Sequence, residues 1–201
     1  MKCRSCGSTD FVSIIDLGKQ PLANAFLTNQ TDPEEKYPLE LGLCANCALV
    51  QITETVPPET MFSNYLYFSS ESKTMLRHAQ EIAEKYKPRL NEKSLVMEIA
   101  SNDGYLLQYF KPFDVLGIDP AKNIAEVANS KGIVTLPEFF GDEMAKTLPK
   151  ADIVLALNVL GHVPDLVGFI CGIAHVLKDD GVAVIEVPYV RDMIERVEVD
   201  T

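Results

Sequence analysis

The chain has 201 residues, 47% of them apolar, with a near-zero mean hydropathy, as in an ordinary globular protein holding one well-buried domain and a small module. Eighteen Lys and Arg stand against twenty-nine Asp and Glu, a formal net charge of −11 without any basic run, and this excludes nucleic acid as the main partner. No segment nears the roughly 20 apolar residues that cross a bilayer, and MKCRSCGSTD carries no apolar signal core, so no membrane partner and a cytoplasmic location are expected.

The first motif in chain order is a doubled one. CRSC places Cys3 and Cys6, and CANC places Cys44 and Cys47, each pair presenting two thiolates at a separation that suits one tetrahedral zinc ion. The 37 residues between the pairs must carry strands or a hairpin of their own to bring the knuckles together. Disulfides are disfavoured in a reducing compartment, and a redox motif would call for one pair, not two. Four thiolates leave no open coordination position, so such a zinc holds a module together and does no chemistry. Cys171, alone in DLVGFICGIAHVL, is expected to be a buried small hydrophobe.

From about Ser72, the apolar residues Met75, Leu76, Ala79, Ile82, Ala83 and Tyr86 recur at helical spacing, until Pro88 and Asn91 stop the pattern. Strands are then expected at 95–99, 115–118, 133–136, 153–157 and 182–187, with helices at 104–110, 124–130, 142–147 and 165–177. Apolar strands alternating with amphipathic helices predict an α/β fold, a parallel sheet covered on both faces. Three parts follow: a zinc-binding module at 1–56, a linker and helix at 57–93, and a doubly wound domain at 94–201.

In such a sheet, ligands sit at the carboxyl ends of the strands. EIASNDG falls at the end of the first strand, and Asp119 in VLGIDPA ends the next, 21 residues after Glu98, where a carboxylate can accept from both hydroxyls of an adenosine ribose. A dinucleotide needs three glycines to bring bare backbone to its pyrophosphate, and here only Gly104 is present. S-adenosylmethionine has no phosphate and carries a sulfonium and an ammonium group, which Glu98 and Asp103 would suit. The other reading of this loop is a plain packing turn. PEFFG sets Glu138, Phe139 and Phe140 after the third strand, where they either flank an adenine or belong to the core. LNVLGHVPD sets Asn158 and His162 past the fourth strand, where an imidazole could move protons near neutral pH. His78 and His175 fall in helical patterns and read as structural.

These motifs together resemble the S-adenosylmethionine-dependent C-methyltransferases that act on nucleotide-activated keto-deoxysugars. The similarity runs the whole chain, through CRSCGS, DLGKQPLANAFL, YPLELGLCANCALVQI, NYLYFSS, EIASNDGYLL, GIDPA, NVLGHVPD and IEVPY. One departure is Ala100, where the family has glycine; its methyl group narrows the loop. The resemblance implies zinc on Cys3, Cys6, Cys44 and Cys47, and a Rossmann-like sheet of the class I methyltransferase type. It implies that Tyr67, Glu98, Ala100, Ser101, Asn102 and Gly104 hold the methionine end of the cofactor. Asp119 with Pro120 would take the ribose, Glu138 to Phe140 the adenine, Asn158 the crevice floor, and His162 would face the sugar as the catalytic group.

The last strand, VAVIEV, is apolar on both faces, and no later segment could pair with it. In the resembled family a Tyr-His-Glu-His segment follows an Asp-Thr like Asp200-Thr201, and then a second α/β domain. The expectation is therefore the amino-terminal part of a longer enzyme, with an incomplete sheet, that binds S-adenosylmethionine but turns over little alone. The competing readings are a non-catalytic zinc-ribbon and Rossmann-like interaction module, and a nicotinamide enzyme, for which the glycine-rich loop is missing.

Overall fold

The computed structural model describes residues 2–23, 25–63 and 65–196. Asp200 and Thr201, which carried part of the resemblance, lie outside the described residues. The chain divides into two compact units, residues 1–66 with 164–167, and residues 67–163 with 168–201.

The first unit is an antiparallel sheet in the order β1-β2-β3, from β1 (Phe11–Pro21), β2 (Lys36–Cys44) and β3 (Val50–Ile52). β1 pairs with β2 from Phe11 opposite Cys44 to Pro21 opposite Lys36, with two register irregularities. A short helix, α1 (Pro58–Phe62), follows with proline in its first turn, where a missing N–H costs nothing.

The second unit starts with α2 (Lys73–Tyr86), whose Ser72 hydroxyl accepts from the Met75 N–H at 3.3 Å as its N-cap. β4 (Leu95–Ile99), β5 (Asp114–Ile118), α3 (Lys122–Ser130), β6 (Thr135–Leu136), α4 (Asp142–Ala145), β7 (Ala151–Leu157), α5 (Leu166–Val176), β8 (Leu177–Glu186) and α6 (Val190–Arg196) follow in turn. The sheet is wholly parallel, in the order β6-β5-β4-β7-β8. The chain winds outward from β4 through β5 to β6, then returns to β7 on the other flank of β4. Open α/β sheets place their ligands at such a reversal, here beyond the carboxyl ends of β4 and β7.

Alternation along the central strands sorts side chains onto two faces. Val96, Ile153, Leu155 and Leu157 join Ala79, Ile82 and Ala83 of α2 in one cluster with Phe110. Met97, Ile99, Val154 and Ala156 join Phe169, Ile173 and Val176 of α5 in the other. Each fully buried Leu, Ile or Phe of this kind contributes about 1.5–3 kcal/mol.

Several sequence expectations change. The segment 104–110 is not a helix; it is a turn closing into a 3-10 turn at Leu107–Phe110, because Gly104 at φ 77° and the packing of Leu106, Leu107 and Phe110 favour a tight, buried bend. The third strand shrinks to two residues at the sheet edge, and the last begins at Leu177, directly after α5. Cys171 is exposed, not buried: Phe169, Gly172, Ile173 and Val176 form the inward stripe of α5, and position 171 falls outside it. Among the described residues no helix is long and apolar enough to cross a membrane.

Candidate cofactor crevice and metal centre

The two cysteine knuckles are built alike. The Cys3 N–H donates to Ser8 O and the Gly7 N–H to Cys3 O; the Cys44 N–H donates to Leu49 O and the Ala48 N–H to Cys44 O. Each turn ends in a left-handed residue, Gly7 at φ 73° and Ala48 at φ 60°. Gln51, the buried central residue of β3, accepts from the Arg4 N–H at 2.9 Å and donates to Lys2 O at 3.2 Å, tying the first knuckle to the sheet. All four sulfurs lie within 4.8 Å of one another, with Cys3 to Cys47 at 3.5 Å and Cys6 to Cys44 at 3.6 Å. Tetrahedral bonds of about 2.3 Å to zinc set sulfurs roughly 3.8 Å apart, so the cluster fits that ion.

The thiols divide their protons unevenly. The Asn46 side chain, followed by the Ser8 N–H, stabilises the Cys6 thiolate and lowers its pKa to about 6. The Leu49 N–H acts the same way on Cys47, but the Cys3 and Cys6 sulfurs outweigh it and push Cys47 up to about 12. A divalent cation at the centre would release the remaining protons.

In the second unit, the loop after β4 carries three left-handed residues at alternate positions: Ala100 at φ 57°, Asn102 at φ 47° and Gly104 at φ 77°. At Ala100 and Asn102 the backbone thus takes a conformation that glycine adopts freely and other residues rarely do. The loop is wedged against β5, where a Cβ on Gly117 would stand 2.4 Å from Ser101 Oγ. Ser101 N–H donates to Ile118 O at 3.2 Å, which fixes the loop over the strand ends.

Two side chains of the loop hold the aromatic segment before α2. Asn102 accepts from the Ser69 N–H at 2.9 Å and donates through Nδ2 to Tyr67 O at 3.1 Å. The Asp103 carboxylate accepts from the Ser70 hydroxyl and pairs with Lys131 Nζ at 2.7 Å. Its sequence expectation, a charge facing a cationic ligand, is therefore corrected: Ser70 and Lys131 engage this carboxylate. Tyr67 itself is 47% exposed.

Glu98 ends up beneath the loop, 1% exposed, with Oε2 buried and unpartnered. Burial first, then Asp119 and Asp103, hold its pKa well above the ordinary carboxylate range. Asp119 accepts from the Asn102 N–H at 2.9 Å and from the Ala121 N–H at 3.0 Å, and its pKa is raised by burial against those two bonds. Glu98, Ala100, Ser101, Asn102, Gly104, Asp119 and Pro120 therefore gather at the carboxyl ends of β4 and β5, as expected from the sequence.

The remaining candidates are more scattered. Glu138 is exposed just past β6. Phe139 is exposed, while Phe140, half-buried, packs edge-on against Phe169 at 5.5 Å beside the α5-side cluster. Asn158, at φ 54°, follows β7 and donates its N–H to Glu186 O at 2.8 Å. His162 closes a 3-10 turn, keeps an exposed edge, and has its pKa lowered by desolvation of the ring. His175 gives its carbonyl to Lys150. His78 on α2 has its Nε2 2.6 Å from Oε2 of Glu186, the glutamate of IEVPY. Its signal, a histidine on a helix over the sheet, is shared with many packing histidines.

Comparison with known proteins fits this geometry. Residues 3–62 match the family described as "Putative zinc binding domain", and residues 72–199 match the family described as "Methyltransferase domain". The chain is 31% identical over 210 residues to the C-methyltransferase NovU of Streptomyces niveus, an alignment covering 100% of this chain and 50% of NovU. It thus spans about half the length of that relative. A crystal structure of the plantazolicin methyltransferase BpumL, with a triazolic desmethylPZN analog and SAH, superposes with a TM-score of 0.50 at 17% identity, over 66% of this chain and 55% of that one. That likeness concerns the fold. With the second match running from α2 past α6, well over half of its length, the chain belongs to the methyltransferase-domain family.

Proposed function

We propose that this chain is the zinc- and cofactor-binding portion of an S-adenosylmethionine-dependent C-methyltransferase. Its substrate would be the carbon next to the keto group of a nucleotide-activated deoxysugar, as the resemblance implies; the relative NovU supports the C-methyl transfer itself. The observation that carries the reading is the loop: left-handed backbone at Ala100, Asn102 and Gly104, over a buried Glu98 whose Oε2 has no partner. An unpartnered buried carboxylate oxygen is costly, and a ligand that donates to it removes the cost.

S-adenosylmethionine would supply an electrophilic methyl group on sulfur. The Glu98–Gly104 loop would hold the methionine end, with Tyr67 over it, and the arriving positive charge would favour the ionised form of the raised Glu98, whose proton would pass to solvent. Asp119, already oriented by two N–H donors, has acceptor capacity left for the ribose hydroxyls. Pro120 would shape that flank, Glu138 and Phe139 would border the adenine, and Asn158 would floor the crevice. His162, its basicity trimmed by desolvation, would carry a proton near the reacting carbon. The zinc on Cys3, Cys6, Cys44 and Cys47 would hold its own sheet together and take no part in the reaction.

Titration calorimetry tests this directly. One-to-one binding of S-adenosylmethionine and S-adenosylhomocysteine, with none of NADH, is the expected result. Absence of binding would leave the non-catalytic interaction module as the better description.

A further inference from the structure

Glu186 closes β8 opposite Leu157, and its carboxylate is gripped from two sides. Oε2 stands 2.6 Å from Nε2 of His78 on α2, and Oε1 accepts from Asn158 Nδ2 at 2.8 Å. A carboxylate only accepts, so His78 must donate through Nε2, and the Asn158 amide is turned with its nitrogen toward the acid. The Asn158 N–H, on its left-handed backbone, donates to the carbonyl of the same glutamate. Neighbouring elements thus orient an acid that is still 34% exposed. An unconstrained surface glutamate would have no such arrangement.

The strand register places this acid. Glu98 lies opposite Leu155, Leu155 opposite Val184, and Glu186 is two residues beyond Val184, so Glu98 and Glu186 share the sheet face covered by α2. Tyr105, buried on that face, feels both: burial first, then Glu98 and Glu186, raise its hydroxyl pKa. Asp119, at the end of β5, lies beyond both β7 and β4 from Glu186. A nucleoside with its ribose at Asp119 and its amino-acid end at the loop would lie over the end of β4, the strand whose Glu98 shares its face with Glu186.

We propose that Glu186, oriented by His78 and Asn158, supplies the negative charge that makes the crevice prefer the sulfonium donor over its demethylated product. When the methyl group leaves, the sulfur keeps the bonding electron pair and becomes a neutral thioether. The attraction to Glu186 then vanishes, and the product is held less tightly than the donor it replaces. This inference rests on the methyl-donor reading of the crevice.

The test uses the full chain and three probes: S-adenosylmethionine, S-adenosylhomocysteine, and sinefungin, which has a protonated amine where the donor has its sulfonium. Glu186→Gln should weaken S-adenosylmethionine and sinefungin by roughly three- to tenfold, the low value reflecting solvent screening of a part-exposed acid, and leave S-adenosylhomocysteine within about twofold. Glu186→Asp should recover most of the preference, and His78→Gln should lose part of it in the same direction. An equal loss on all three ligands, or an unchanged donor-to-product ratio, overturns the inference, since a merely structural role weakens charged and neutral ligands alike. Failure of the unsubstituted chain to bind any of the three would instead overturn the donor reading, and this inference with it.

Discussion

Among the described residues of the first unit, the buried side chains are Cys3, Cys44 and Gln51, while Val12, Ile14, Ile15 and Leu17 of β1 are all exposed. In the second unit, two clusters bury Phe110, Phe169, Met97, Ile153, Leu155 and their neighbours on opposite faces of one parallel sheet. A three-stranded sheet with so little apolar burial cannot repay its conformational entropy by the hydrophobic effect, so its order depends on the four sulfurs and the ion they fit. The five-stranded unit needs no such staple. Metal and apolar core are thus alternative solutions to one problem, both used within a single chain.

The sharpest way to break that contrast is to strip the metal. Chelation, or Cys44→Ser, should abolish amide protection across β1 to β3, since the apparent binding free energy of such sites is on the order of 10 kcal/mol, while the parallel sheet keeps its hydrogen-exchange pattern. Persistent protection in β1 to β3 without metal would mean the first unit has a core of its own. The reciprocal substitution comes next in size. Phe110→Ala should cost the second unit about 3–5 kcal/mol in a denaturant melt and leave the zinc content of the chain unchanged.

A smaller effect distinguishes a carboxylate kept for function from one kept for stability. Glu98 has a raised pKa in the folded chain, so between the ordinary carboxylate value and the raised one the folded state holds more protons than the unfolded state. Its contribution therefore falls as pH rises through that window, the reverse of a salt-bridged acid. Glu98→Gln should stabilise the ligand-free chain by about 1–2 kcal/mol at neutral pH and flatten the decline of stability toward alkaline pH, as read by urea melts across pH. The same substitution should weaken S-adenosylmethionine binding and remove the proton release seen by calorimetry in buffers of different ionisation enthalpy. The smallest effect tests the loop. Ala100 holds a left-handed conformation that costs an L-residue about 1 kcal/mol, so Ala100→Gly should raise the melting temperature by a few degrees without changing zinc content.

Much of this was legible in the residues alone. Two CxxC pairs specify four sulfurs for one ion, because that spacing closes a turn around a metal wherever the pairs are brought together. The apolar run at β4 and the 3.6-residue spacing of α2 give a strand and a helix regardless of context, and both fall where expected. The family resemblance found the methyltransferase fold for the same reason, since its motifs sit at strand ends that the alternation itself locates. The segment 104–110 misled because its apolar residues fit a helical period, while their burial between α2 and the sheet favoured a tighter bend.

Composition and spacing decide the metal set, the α/β class and the order of strands along the chain, because these depend on periodicity and ligand geometry within a few residues. Only the folded structure reveals that Ala100 and Asn102 adopt glycine-like backbone, that Asp103 is engaged by Lys131 and Ser70, and that His78 reaches Glu186 across 108 residues. Those are long-range facts. A φ angle forced by packing, or a hydrogen bond between a helix and the end of a distant strand, exists only once the sheet has put its neighbours in place.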